Sequence, residues 1–213
     1  NRPSCSNNVF VGNYTGLSNT GQDNTFVGFK AGESNTTGSG SVIVGNYDAT
    51  TQYDNIIAIG KDVTVTGATA LRIGYGAGSC GASSVSIGKN TLCAGTDAVR
   101  IGSGAGACHP YSISIGKDTV TSENYAVRIG YGAGSCGTNS ISLGNSTICA
   151  GTNAVRIGSG AGSCANYSVS LGYTPSCTGA SSVRIGNHGN CDGNYAVSIG
   201  DECESVTTYC VYT

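Results

Sequence analysis

The chain has 213 residues, of which 35 are Gly and 11 are Cys, with no Met and no Trp. Ten basic residues against twelve acidic ones leave a formal net charge of -2, and cations so few and scattered exclude a nucleic-acid partner. No run of 18 apolar residues occurs, which argues against membrane insertion as a spanning helix, and the missing Met points to a processed product or an excerpt of a longer polypeptide.

Taken from the N-terminus, an apolar-x-apolar-Gly signature closes first on Gly12, Gly28 and Gly45, and the unequal steps between these glycines lead on to Gly60. From there the step is a constant 14, marked by Gly60, Gly74, Gly88, Gly102, Gly116, Gly130, Gly144, Gly158, Gly172, Gly186 and Gly200. Each copy holds a short alternating run such as Val99-Arg100-Ile101 or Ile141-Ser142-Leu143, the pattern of a strand of three to five residues. The rest of each copy is mostly Gly, Ser, Thr, Asn and Ala, which turns easily and makes a poor helix. A unit of this size cannot bury its own apolar face, so neighbours must stack. The prediction is an all-β parallel solenoid in which the two apolar residues of each strand face inward. It divides into irregular coils over 1–59, regular coils over 60–200, and a cap over 201–213 that leaves the period. The strand-end glycines are expected at turns, where φ is positive or where a Cβ would collide with the next coil.

Gly132, Gly134 and Gly137 spell G-x-G-x-x-G, the spacing of a dinucleotide-binding loop. A cofactor loop needs a helix after the glycines, and here the next strand, Ser140-Ile141-Ser142-Leu143, begins three residues later. The motif also recurs at Gly76, Gly78 and Gly81, as a repeat dictates and a single site does not. No cofactor is expected.

The middle strand residue alternates: Arg72, Ser86, Arg100, Ser114, Arg128, Ser142, Arg156, Ser170, Arg184, Ser198. Coils about 4.8 Å apart would set an unbroken arginine column charge against charge. Alternation doubles the gap, and at about 10 Å in water the repulsion falls to a few tenths of a kcal/mol. A solvated or intersubunit ladder is the expectation, with a ligand-binding arginine stripe as the alternative. Segments 70–109 and 126–165 are closely similar, which points to duplication of a four-coil block built of two-coil units.

Cys80, Cys108, Cys136 and Cys164 lie six residues after a strand-end glycine; Cys93, Cys149, Cys177 and Cys191 lie five after theirs. They form one column, and stacked neighbours fall within disulfide range. The expected pairs are Cys80 with Cys93, Cys136 with Cys149, and Cys164 with Cys177. In a perfect strand these two offsets face opposite ways, so the pairs need a bend. Interchain bridges and buried thiols remain open. Cysteine at this density favours an oxidising surrounding, and with an odd total Cys5 is the candidate left over. No C-x-x-C pair exists for zinc, and the lone His188 with Cys191 is a weak substitute, so no metal is expected. Sequons at Asn13, Asn35, Asn145 and Asn166 permit glycosylation.

At "NSISLG", "SSVSIG" and "NYAVSIG", with the recurring coil step, the chain resembles the head repeats of YadA-type trimeric autotransporter adhesins. That resemblance implies a left-handed parallel β-roll, elongated and homotrimeric, on a bacterial surface. The opening "NTFVGFKAGESNTTGSGSVIVG" is similar to repeats of phage and large-virus fibre proteins.

The function expected is therefore structural or adhesive, without catalysis, as a fibre on a cell or virion surface. Its partners would be copies of itself, as a homotrimer or an end-to-end filament, and a host-surface receptor or glycan. One alternative is an ice-binding solenoid, which needs a Thr-x-Thr ladder; only "VTVTG" and "TVT" near Thr119 fit. The other is a solenoid enzyme. Acyltransferase solenoids show units like Ile87-Gly88-Lys89-Asn90-Thr91, but need longer coils and a catalytic histidine, whereas His109 and His188 fall in turns.

Overall fold

A computed structural model describes residues 6–46, 52–79, 81–93, 95–107, 109–135, 137–163, 165–204 and 211–212, with backbone alone for 79, 93, 107, 135, 149, 163, 211 and 212. Among these residues there is no helix, and every element is a parallel strand of two or three residues. The chain parts into two compact units, 1–105 and 106–213.

In the first unit the three-residue strands are Val9–Val11, Thr25–Val27, Val42–Val44, Ile57–Ile59, Leu71–Ile73, Val85–Ile87 and Val99–Ile101. Each pairs with the next in register, Val9 on Thr25, Thr25 on Val42, Val42 on Ile57, Ile57 on Leu71. These offsets reproduce the irregular and then regular steps of the glycine signature. Thr64–Val65, Gly78–Ser79 and Leu92–Cys93 form a second sheet on the same coils.

The second unit repeats the plan. Its longer strands are Ile113–Ile115, Val127–Ile129, Ile141–Leu143, Val155–Ile157, Val169–Leu171, Val183–Ile185 and Val197–Ile199. Its second sheet runs through Gly106–Ala107, Val120–Thr121, Gly134–Ser135, Ile148–Cys149, Gly162–Ser163, Ser176–Cys177 and Asn190–Cys191. Val211–Tyr212 adds a further parallel strand, Val211 on Val197 and Tyr212 on Ser198, one regular coil step further along the chain. Within the segment 201–213 expected to leave the period, this strand lies in register with the coil before it.

Backbone bonds between neighbouring coils hold the stack: Ile141 N–H donates to Ala154 O at 2.9 Å and Gly144 N–H to Ile129 O at 2.8 Å. Each coil turns twice through left-handed residues, as at Ser146 (φ 51°) and Asn153 (φ 55°). Asn, Asp and Gly tolerate that conformation better than most residues and hold many of these places, while Tyr111, Tyr125, Tyr167 and Tyr195 adopt it as well.

The eleven strand-end glycines from Gly60 to Gly200 all have φ between +125° and +141°. At Gly88 (φ +134°) a Cβ would also lie only 2.5 Å from the carbonyl oxygen of Gly102 on the next coil. Any side chain there is both strained and blocked, so glycine is required on two counts. The G-x-G-x-x-G segment forms a left-handed turn at Gly132, the strand Gly134–Ser135, and a close approach of Gly137 to Gly151, with no helix.

The interior differs from the sequence expectation. In the first coils it is apolar, built on Phe26, Ile43, Ile56, Ala58, Val63 and Val65. From Arg72 onward it is not. The middle strand residues, the arginines included, are fully buried, while the flanking Val, Ile and Leu are half-buried or exposed. The inward lining of a coil is Ala or Ser just before the strand, Arg or Ser within it, and Ala or Thr after it, as with Ala126, Arg128 and Ala133. The pleat is thus set with the β-branched and Leu side chains outside. The expected solvated arginine ladder is corrected accordingly: it is an internal one.

Candidate self-association surface

The buried arginines explain how the reversed pleat is tolerated. Arg72 Nη1 donates to Leu71 O at 2.6 Å and Ser84 O at 2.7 Å, and Nη2 donates to Ser84 Oγ at 2.6 Å. Arg128 binds Val127 O, Ser140 O and Ser140 Oγ, and Arg156 binds Val155 O, Ser168 O and Ser168 Oγ, all at 2.6–3.2 Å. Each of these three guanidinium groups therefore reaches into the next coil and is solvated by carbonyls and one serine hydroxyl. Charge-assisted bonds of this kind offset a desolvation penalty that is otherwise several kcal/mol per ion. Space is found by pairing each arginine with Ala77, Ala133 or Ala161, where serine coils carry Thr91, Thr119 and Thr147. In the serine coils the hydroxyls close on each other, as Ser114 on Thr119 at 2.6 Å and Ser86 on Thr91 at 2.5 Å.

Arg184 supports the rule by exception. Twelve residues after it stands Ala196, where Ser84, Ser140 and Ser168 follow Arg72, Arg128 and Arg156. Without that hydroxyl Arg184 turns to Gly200 O at 2.6 Å, Ile185 O at 2.9 Å and Asn187 O at 3.2 Å. The recurrence of serine twelve residues after arginine, with alanine replacing threonine in the same coil, was the available sign that the arginines point inward.

The outward counterpart is two apolar columns per unit, one from the first and one from the third residue of each longer strand. In the second unit they run through Ile113, Val127, Ile141, Val155, Val169, Val183 and Val197, and through Ile115, Ile129, Leu143, Ile157, Leu171, Ile185 and Ile199. Ile129, Ile157 and Ile199 are 41–42% exposed. With on the order of 50 Å² of exposed apolar surface per residue, fourteen such residues exceed the few hundred Å² at which a patch marks an interaction site. No charged residue interrupts either column.

Exposed tyrosines occupy the coil corners: Tyr111 and Tyr125 stack with ring centroids 5.1 Å apart at 3°, and Lys117 Nζ lies 5.4 Å over the Tyr131 ring. The described ion pairs, Lys30 with Glu33 and Lys117 with Asp118, are both lysine pairs at the surface.

Of the cysteines, Cys80, Cys108, Cys136 and Cys164 lie outside the described residues, as does Cys5, and so do all three expected bridges. Cys93 and Cys149 are described by backbone, in the strands Leu92–Cys93 and Ile148–Cys149. Cys177 and Cys191 face inward, fully buried and in register on adjacent strands. Burial pushes the Cys177 thiol from 9.0 up to about 11, against the lowering effect of its 2.8 Å bond with Ser182 Oγ and with Cys191 raising it further. His188 is exposed while Cys191 is buried, so the two do not face one centre. Among the described residues no cluster of three or more His, Cys, Asp or Glu could hold a metal ion, and no helix is long and apolar enough to cross a membrane.

No protein-family model matches this chain, and no curated protein matches it. Among solved structures it is similar to the collagen-binding domain of the Yersinia adhesin YadA, at 19% identity and a TM-score of 0.39, over 64% of this chain and 70% of that one.

Proposed function

We propose that this chain is a non-enzymatic structural fibre segment that assembles as a homotrimer, displayed outside a cell or on a virion. The observation that carries the reading is the reversed pleat. A chain that buries five arginines and leaves its Val, Ile and Leu columns half open is completed by further apolar surface, and a second and third copy supply it. Threefold rather than twofold association rests on the resemblance of the repeats to trimeric adhesin heads. The same resemblance supports a place on a surface, where the exposed tyrosines at the corners would meet a host receptor or glycan through ring stacking.

The test is the mass in solution under reducing conditions. Sedimentation equilibrium should give three times the 21.2 kDa of one chain. The double variant Ile129→Asp, Ile157→Asp places charge in the columns without touching the interior and should lose the trimer while keeping its β-rich circular dichroism. A wild-type monomer at every concentration, or a trimer indifferent to both aspartates, would overturn the reading.

A further inference from the structure

The second sheet carries a different pattern on its outward side. In register, its outward residues in the second unit are Gly106, Val120, Gly134, Ile148, Gly162, Ser176 and Asn190. Val120 is 51% and Ile148 is 59% exposed, so two apolar side chains stand up from a row of glycines. Among the described residues nothing calls for those glycines. None of the three has a positive φ, and a Cβ built on Gly106, Gly134 or Gly162 meets no atom within 4 Å. Glycine weakens a strand, and where the backbone does not need it, its usual reason is the close approach of something outside. Strand-end glycines such as Gly130, Gly144 and Gly158 make the contrast, being blocked by a carbonyl of the neighbouring coil.

We propose that this ridged face is a second contact between copies of the chain, distinct from the β-branched columns, in which Val120 and Ile148 of one copy enter the glycine gaps of another. The period selects the partner. Ridge and gap alternate coil by coil, so apolar side chains recur at about 9.6 Å, twice the strand spacing. A twofold axis along the stack would set Val120 on Val120 and ridge on ridge. A twofold axis across it reverses one copy and sets Val120 over Gly162 and Ile148 over Gly134, with the reciprocal pairs formed at once, as an isologous interface requires. No charged side chain lies in the row to oppose this. Four interlocking contacts make a small surface, so the association is weak.

The experiment separates this contact from the trimer by using the Ile129→Asp, Ile157→Asp chain as background, in reducing buffer, by sedimentation velocity from micromolar to millimolar concentration. That chain should show a monomer–dimer equilibrium. Adding Gly134→Leu should raise the dimer dissociation constant at least tenfold with circular dichroism unchanged, since the site is open within the chain. Adding Ile148→Gly instead should also weaken the dimer. Mixing the Gly134→Leu and Ile148→Gly chains should restore it, because the new leucine then faces the new gap. No dimer in the aspartate background, a dimer indifferent to Gly134→Leu, or no recovery on mixing would each overturn the proposal. A wild-type chain that never trimerises would count against the β-branched interface alone.

Discussion

The bond between Arg156 and Ser168 is the sharpest place to test the internal ladder. Ser168 Oγ accepts from Arg156 Nη2 at 2.8 Å and donates to Ala165 O at 2.7 Å. Ser168→Ala removes one oxygen, so almost no cavity forms, and the loss is that of a buried charge-assisted bond, about 1.5–3 kcal/mol. Arg156→Met removes the ion and keeps most of the volume; exchanging a buried charge for an apolar chain is expected to lie near zero or to stabilise. In the Arg156→Met background Ser168→Ala loses only its neutral bond to Ala165, about 1 kcal/mol. The double-mutant cycle should therefore close with a coupling of about 0.5–2 kcal/mol. Urea unfolding in reducing buffer, followed by tyrosine fluorescence and circular dichroism, measures it, provided the denaturant slope is shared by all four proteins. Losses equal in both backgrounds to within about 0.5 kcal/mol would refute the idea that the serine solvates the guanidinium.

Gly144→Ala and Gly162→Ala should diverge sharply. The first forces a side chain to φ +132° against the next coil's carbonyl and should cost about 3 kcal/mol or prevent folding, whereas the second, in open space, should change stability by under about 1 kcal/mol, as thermal melts would show. The raised Cys177 pKa has a defined sign: the thiol is neutral in both states below about pH 9, and above it the unfolded chain ionises first. Stability should fall as pH rises from about 9 towards 11, and Cys177→Ala should flatten that part of the profile; an identical profile would show that the burial is not felt. Native alkylation by iodoacetamide at pH 8 should spare Cys177 until urea is added, read by peptide mass.

Much of the architecture was legible. The spacing of Gly12, Gly28, Gly45 and Gly60 set the coil steps, because a close approach between backbones admits only glycine and so leaves an unambiguous mark. What misled was the pleat. Val99-Arg100-Ile101 and Val127-Arg128-Ile129 carry the same alternation whichever face is inside, and the ordinary rule that apolar side chains are buried assigns the wrong one. The repulsion between arginines changes with it. A screened value of a few tenths of a kcal/mol becomes about 1.7 kcal/mol at about 9.6 Å when the effective dielectric is nearer 20. The corrective signal lay in residues that look like filler, the exchange of Ala133 for Thr147 and the serine twelve places after Arg72, Arg100, Arg128 and Arg156. The reach of Val211–Tyr212 was hidden because its coil lacks the apolar-x-apolar-Gly mark.

The alternation of arginine and serine coils also constrains how this chain can grow or shrink. Removing a single serine coil would bring two guanidinium groups onto neighbouring strands, about 4.8 Å apart, and at an effective dielectric near 20 their repulsion is about 3–4 kcal/mol. It would also leave one of them without its serine. Excising an arginine coil together with the serine coil that follows it preserves every remaining partner. Length variants that lose an arginine coil with its following serine coil should therefore be viable, and one that loses a serine coil alone would need a second change to repair the mismatch.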